Sequence, residues 1–217
     1  SLEADGIQTT DTLRREGRPT ASYTAVLDRD GELLIGLADM AIYDDVDGAA
    51  FGASSRNQDT DAWFIDANLP DGCLDTLVAA GSKTIVAAST VSTPKAPRLT
   101  AYLDRIDILF ANRAEAAVLA DRDIQSNDDA LIAASRLLEK GVGTVFVTLG
   151  PRGAVAAGSS GQLVLPAIPG AARDVVGAGD AFAAGALAAI LENASLEDAM
   201  LSGLATASIT VERVRKV

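Results

Sequence analysis

The chain has 217 residues, 48% of them hydrophobic, and carries a formal net charge of −12. That composition describes a globular chain with enough apolar residues for one sizeable core, and its acidity opposes gripping a nucleic-acid polymer or an anionic membrane surface. Cys73 is the single cysteine and there is no histidine, which excludes an intrachain disulfide, a Cys-pair zinc site and Ser-His-Asp or Cys-His catalysis.

In chain order, Ser22–Asp28 and Glu32–Ala38 are β-prone runs around Asp28-Arg29-Asp30-Gly31, a hairpin signal with a loop longer than the tightest type. Trp63–Asp66 predicts a strand, followed by a helix over Asp71–Ala80 closed by Gly81. Thr84–Ala88 predicts a second strand of this series and Lys95–Leu103 a helix. Ile108–Ala111 reads as a third strand, with Asn112 opening a helix that runs to Ala120. Asn127 is the expected cap of a helix to Lys140, and Thr144–Thr148 is a fourth strand. A hairpin-like pair, Gly153–Ala157 and Gln162–Leu165, comes next. Helices over Ala178–Leu191 and Ser195–Val211 close the chain, the last with a Ser195-x-x-Asp198 capping pattern.

Apolar strands alternating with helices predict an α/β fold with a mostly parallel sheet covered on both faces, the two hairpins being antiparallel additions. We expect a single domain over 1–217, with residues 20–40 as a small β lid and 60–217 as the core. Ligands in open α/β sheets bind beyond the carboxyl ends of the strands. Asp66-Ala67-Asn68, Ser89-Thr90, Asn112…Glu115 and Gly150…Gly153 each follow a predicted strand directly, so one sheet edge gathers four polar or glycine-rich segments. Loops are polar in general, so the clustering also fits an ordinary surface.

The most informative stretch is Asp174-Val175-Val176-Gly177-Ala178-Gly179-Asp180, which runs into an apolar helix. Glycines at a helix start present bare N–H groups at the positive end of the helix dipole, an anion site by construction. A carboxylate at Asp180 beside such a cradle suits phosphoryl transfer to a hydroxyl, the acid taking the proton while the amides of Gly177, Ala178 and Gly179 receive developing charge. The residues alone also fit a plain helix start with a helpful N-terminal acid. Asn112 and Glu115, at i and i+3, share one helical turn and face one ligand, or form an N-cap with a favourable first-turn acid. No Gly-x-x-x-x-Gly-Lys-[Ser/Thr] is present, and Phe182 stands where a Gly-x-Gly-x-x-Gly motif needs its third glycine.

Three segments carry a resemblance. Asp174…Gly177-Ala178-Gly179-Asp180, Asn112-Arg113-Ala114-Glu115 and Val147-Thr148-Leu149-Gly150-Pro151-Arg152-Gly153 resemble, in order, the signature, the Asn-x-x-Glu motif and the nucleotide-binding segment of the PfkB, or ribokinase-like, family of small-molecule kinases. Ala38-Asp39-Met40, Asp66–Pro70 and Val91–Lys95 are similar to segments of the pseudouridine kinases within it. The resemblance covers roughly Gly6 to Val211 and implies a three-layer sandwich with a small β lid.

It also implies Asp180 as catalytic base, with Gly177, Ala178 and Gly179 as the anion hole. Asn112, Thr148, Gly150 and Gly153 would lie along ATP, and Glu115 would act on Mg²⁺. Asp174 matches the acid near a monovalent-cation site, but Val175 and Val176 replace a common threonine-containing version, which leaves K⁺ open. Asp39, Asn68, Ser92 and Lys95 are the substrate candidates, and Arg113 a cationic neighbour for phosphate or an exposed surface residue.

The implied reaction is ATP-dependent phosphorylation of a ribosyl primary hydroxyl, foremost pseudouridine at O5′. The alternatives are another sugar or nucleoside kinase of the family, such as a ribokinase, or an inactive nucleotide-binding remnant. The expected partners are a nucleoside or sugar and a second copy docked through the lid. With no run of about 18 apolar residues and no signal-peptide pattern, a cytoplasmic location is expected. Because Ser1 opens the chain and Met40 is its first methionine, a processed, trimmed or partial chain is expected too. The family resemblance implies a further N-terminal segment with the first strands and much of the sugar-binding surface.

Overall fold

The computed structural model describes residues 2–10, 12–27, 33–49, 60–79, 84–170 and 175–212, grouped in two compact units: Ser1–Asp59 with Leu69–Ser82, and Thr60–Asn68 with Lys83–Val217. In the first unit, β1 (Ser22–Leu27) pairs antiparallel with β2 (Leu33–Asp39), with Val26 opposite Ile35. The expected hairpin forms; its connecting residues 28–32 lie outside the described residues. Helix α1 (Asp71–Ala79) belongs to the same unit. There the buried thiol of Cys73 donates to the Val46 carbonyl at 3.6 Å. Burial is the main cause pushing this thiol up from its ordinary value, with Asp47 adding to it.

The second unit is built on a six-stranded sheet in the order β3 (Ala62–Asp66), β4 (Ile85–Ser89), β5 (Ile108–Asn112), β6 (Thr144–Thr148), β7 (Ala154–Gly158) and β8 (Gly161–Leu165). β3 to β6 are mutually parallel, while β7 and β8 are antiparallel additions. Their runs of Val, Ile, Phe and Ala explain the choice: side chains pointing to both faces must find cover, and helices supply it. One face carries Ile108, Phe110, Phe146, Ala154 and Ala156, packed on Phe182, Ala183, Met200 and Leu204 of helices α4 (Ala178–Leu191) and α5 (Leu196–Glu212). Phe110 stacks on Phe146 at 5.2 Å, and Phe182 meets Phe146 edge-on at 5.9 Å. The alternate strand residues Leu109, Val145, Val147 and Val155 are fully buried on the opposite face, where α2 (Arg113–Ala120) and α3 (Asn127–Glu139) contact the sheet.

Local chemistry sets the element ends. Asn112 caps α2 as expected, but Ser126, one residue before the expected Asn127, caps α3. The Ser126 hydroxyl accepts from Asp129 N at 3.1 Å, and Asp129 Oδ2 accepts from Ser126 N, so the reciprocal capping arrangement pulls the start back by one. The segment expected as a helix from Lys95 is a run of 3-10 turns over Ala96–Arg105. Its buried residues Ala96, Leu99, Tyr102 and Leu103 have a spacing that fits three residues per turn and 3.6 alike. At Ser195, the hydroxyl accepts from Asp198 N at 3.1 Å and donates to its carboxylate at 2.6 Å. No described helix is long and apolar enough to cross a membrane.

Candidate functional site

Parallel register aligns the strand ends. Asp66 lies opposite Ser89, and Asn112 opposite Thr148, so the segments following β3 to β6 emerge along one edge. Beyond that edge is a cavity of about 210 Å³, lined by Ser89 and Val91 after β4, by Asn112 and Glu115, and by Thr148. Gly177, Gly179, Asp180 and Phe182 close it from the start of α4. Sites for drug-sized ligands run to about 300–1,000 Å³, so this space alone is of a size for a phosphate group and its neighbours.

The α4 terminus is built for an anion. Gly177 adopts φ +83°, a left-handed cap conformation that glycine takes without penalty, and supplies no side chain to satisfy the first turn. Ala178 N donates to the Val175 carbonyl at 3.2 Å, so one of the expected anion-hole amides is already paired. Among the described residues the amides of Gly177, Gly179 and Asp180 have no acceptor. The anion cradle therefore consists of these three N–H groups at the positive end of a 14-residue helix. Asp180 is exposed, and its carboxylate has no hydrogen-bond or ion-pair partner among the described residues.

Glu115 is the opposite case. It is only 6% exposed and bonded on both oxygens: Oε2 accepts from Asn112 N at 2.9 Å and from the Thr90 hydroxyl at 2.5 Å, and Oε1 accepts from Asn112 Nδ2 at 2.8 Å. Asn112 Oδ1 in turn accepts from Ala114 N and Glu115 N. The N-cap reading of the Asn112–Glu115 pair is thus realised, and both residues also line the cavity.

The donor set bears on Mg²⁺. No described lysine or arginine lines the cavity, while Glu115 and Asp180 both do. A phosphate entering beside two carboxylates is repelled by them, and a cation would offset that repulsion. The described residues hold no cluster of three or more His, Cys, Asp or Glu, so an all-protein cage is not formed there. Mg²⁺ commonly binds through one or two carboxylates, substrate phosphates and retained waters, and this donor set fits that mode.

Other expected residues fall elsewhere. Gly153 is buried outside the cavity at φ +96°, where an added Cβ would lie 2.0 Å from the Leu165 carbonyl; sheet packing accounts for this glycine. Gly150 opens an exposed 3-10 turn, also outside the cavity lining. Asn68, Ser92 and Lys95 do not line it either. Asn68 folds onto Asp66 through its amide and side chain, at 2.8 and 3.0 Å, and receives the Lys95 ammonium on Oδ1. Arg98 donates to the carbonyls of Ala67 and Asn68, a cation that sequence reasoning passed over. Ser92 ties the backbone, its carbonyl accepting from Lys95 N and Ala96 N. Asp39 ends β2 in the first unit, accepting from Ala41 N. Arg113 donates to the Ile124 carbonyl, committing it to its own loop. Asp174 lies outside the described residues. Ser89 was legible only as a strand-end residue, and Val91 and Phe182 gave no polar signal at all.

A sheet of this topology, with ligand-facing groups beyond its parallel strand ends and an anion cradle at a following helix, defines a ribokinase-like α/β protein. The model of the "pfkB family carbohydrate kinase" matches residues 1–215, and the chain belongs to that family. It is similar to a ribokinase of Haemophilus influenzae, 33% identical over 111 residues, covering 51% of this chain and 36% of that protein. A pseudouridine kinase of Escherichia coli is 26% identical over 171 residues, covering 78% of this chain and 55% of the relative. The solved carbohydrate kinase of Agrobacterium tumefaciens superposes with a TM-score of 0.73 at 36% identity, covering 91% of this chain and 64% of the other. The chain spans between about a third and just over half of the two curated relatives' lengths. Kinases of the ribokinase type use ATP, which fits an anion cradle beside a free carboxylate.

Proposed function

We propose that this protein is an ATP-dependent kinase that phosphorylates the primary hydroxyl of a ribosyl acceptor, foremost pseudouridine at O5′. The observation carrying the reading is the convergence, in one cavity, of the exposed and unpartnered Asp180, the three unpaired amides at the start of α4, and Glu115 on its cap.

Asp180 takes the proton of the acceptor hydroxyl as that oxygen attacks the γ-phosphorus. The bond from the γ-phosphorus to the bridging oxygen breaks, ADP carries away the electron pair, and the amides of Gly177, Gly179 and Asp180 hold the transferring group. Near Glu115 and Asp180, a bound Mg²⁺ would supply positive charge to offset that of the phosphates. Glu115 would act on it from Oε1, through one of the waters Mg²⁺ commonly retains, since its Oε2 is already doubly bonded. Thr148, Asn112 and Gly150 serve the donor side. Asn68, Ser92 and Lys95 serve the acceptor side, and the likeness of their segments to pseudouridine kinases supports the choice of acceptor. The ribokinase relative supports ribose as the second reading. Such a kinase draws on cytoplasmic ATP. Exposed Leu34, Ile35 and Leu37 on the hairpin support pairing with a second copy, which sedimentation would detect.

The test is ADP release with Mg²⁺-ATP and pseudouridine, uridine or ribose, beside Asp180→Asn. Turnover selective for pseudouridine, and reduced by roughly 10²–10⁴-fold in the variant, is expected of a general base. Among the described residues Asp180 makes no hydrogen bond or ion pair to lose, and its charge on the helix dipole is worth about 0.3–1 kcal/mol, so the variant should stay within about 1 kcal/mol of the parent in stability. Turnover of ribose alone would select the second reading, and no turnover with measurable ATP binding would leave a nucleotide-binding remnant.

A further inference from the structure

Thr90 and Glu115 are the buried polar side chains of the described core, at 0% and 6% exposure, and they are bonded to each other. A carboxylate offers about four acceptor sites, two on each oxygen. On Glu115, Oε2 receives two donors, the Thr90 hydroxyl and the Asn112 amide N–H, while Oε1 receives one, from Asn112 Nδ2. The remaining acceptor capacity is therefore confined to Oε1.

Resting on the kinase reading, we propose that Thr90 is a positioning residue: by occupying the second site of Oε2, it fixes which oxygen of Glu115 is left to hold a water of hydrated Mg²⁺. Thr90 is itself held firmly. Its N–H donates to the Phe110 carbonyl at 3.3 Å, and its own carbonyl accepts from Ser92 N at 2.7 Å across Val91. That two-residue span turns on Val91 at φ +62°, a conformation rare for a β-branched residue, and Val91 lines the same cavity. The turn follows directly on Thr90, whose hydroxyl lies 2.5 Å from Glu115 Oε2 and 3.4 Å from the Phe110 carbonyl, so its proton goes to the nearer carboxylate.

Without that hydroxyl the carboxylate regains a site on Oε2 and has two orientations to offer. Groups that orient a ligand to a metal typically cost about 10–100-fold in metal affinity or activity when removed. The experiment measures ADP affinity of the 217-residue chain by calorimetry, in Mg²⁺ and in EDTA, for the wild type, Thr90→Val and Thr90→Ser. Expected is a wild-type preference for Mg²⁺, cut by roughly 10–100-fold in Thr90→Val, with affinity in EDTA unchanged and the preference restored by Thr90→Ser. A wild-type preference retained in Thr90→Val, or an equal loss in both media, overturns the proposal. If Thr90→Val does not fold, Thr90→Ala is read by the same two criteria. A wild-type chain that binds ADP equally in both media refutes the kinase reading itself, a signature distinct from failure of the Thr90 role.

Discussion

Gly179→Ala separates a glycine kept for packing from one kept for a ligand. Gly179 lies within α4, and a Cβ built on it meets nothing within 4 Å. Among the described residues, no atom therefore explains the absence of a side chain. Alanine in a helix is favoured over glycine by about 0.5–1 kcal/mol, chiefly because the unfolded chain loses freedom. For a chain of this size 1 kcal/mol moves the melting temperature by roughly 2–4 °C, so the variant should melt at the parent temperature or slightly above. Its effect on the reaction has the opposite sign. The methyl stands beside an unpaired amide of the anion cradle, and a displacement of about 1 Å in a reacting group can cost roughly 10²-fold. Calorimetric melting and ADP release on the same preparations supply both numbers. A lowered melting temperature would return the glycine to a packing role, and a stable variant with parental turnover would sink the assignment of its amide to the phosphate.

Gly153→Ala should do the reverse, destabilising the fold by at least about 2 kcal/mol, because its Cβ would fall 2.0 Å from the Leu165 carbonyl at φ +96°; urea titration measures it, and an unchanged midpoint would contradict the packing account. Phe146→Ala removes a fully buried ring stacked on Phe110 and should cost about 3–5 kcal/mol, read in the same titration. For Asp129, the Ser126 hydroxyl, then the Arg122 guanidinium, then the amides of Ser126 and Gln125 hold the carboxyl down from 3.8 to about 2. A depressed folded value stabilises above the unfolded one, so the difference in melting between wild type and Asp129→Asn should be largest at neutral pH. It should shrink as pH falls from about 3.8 to about 2, and a difference that does not change across that window would refute it.

The period of the apolar residues determined the α/β class, the order of strands and helices, and the two antiparallel additions, because each strand's pattern depends only on its own side chains and the need for cover. Asn112, Glu115 and the Gly177–Asp180 start were legible for the same reason: caps and helix starts are local chemistry. Tertiary structure decided what local pattern could not. The apolar spacing of Ala96–Arg105 fits either kind of helix, and the folded chain takes 3-10 turns there. Gly153 and Gly179 look alike in sequence, yet one is pressed against Leu165 from a different strand and the other faces open space. Thr90 gave no signal beyond its place after a strand, since its partner is 25 residues away and only the parallel pairing of β4 with β5 brings the two together. Sequence alone thus set the scaffold and the groups at its helix starts, while contacts between distant strands brought Thr90 to Glu115.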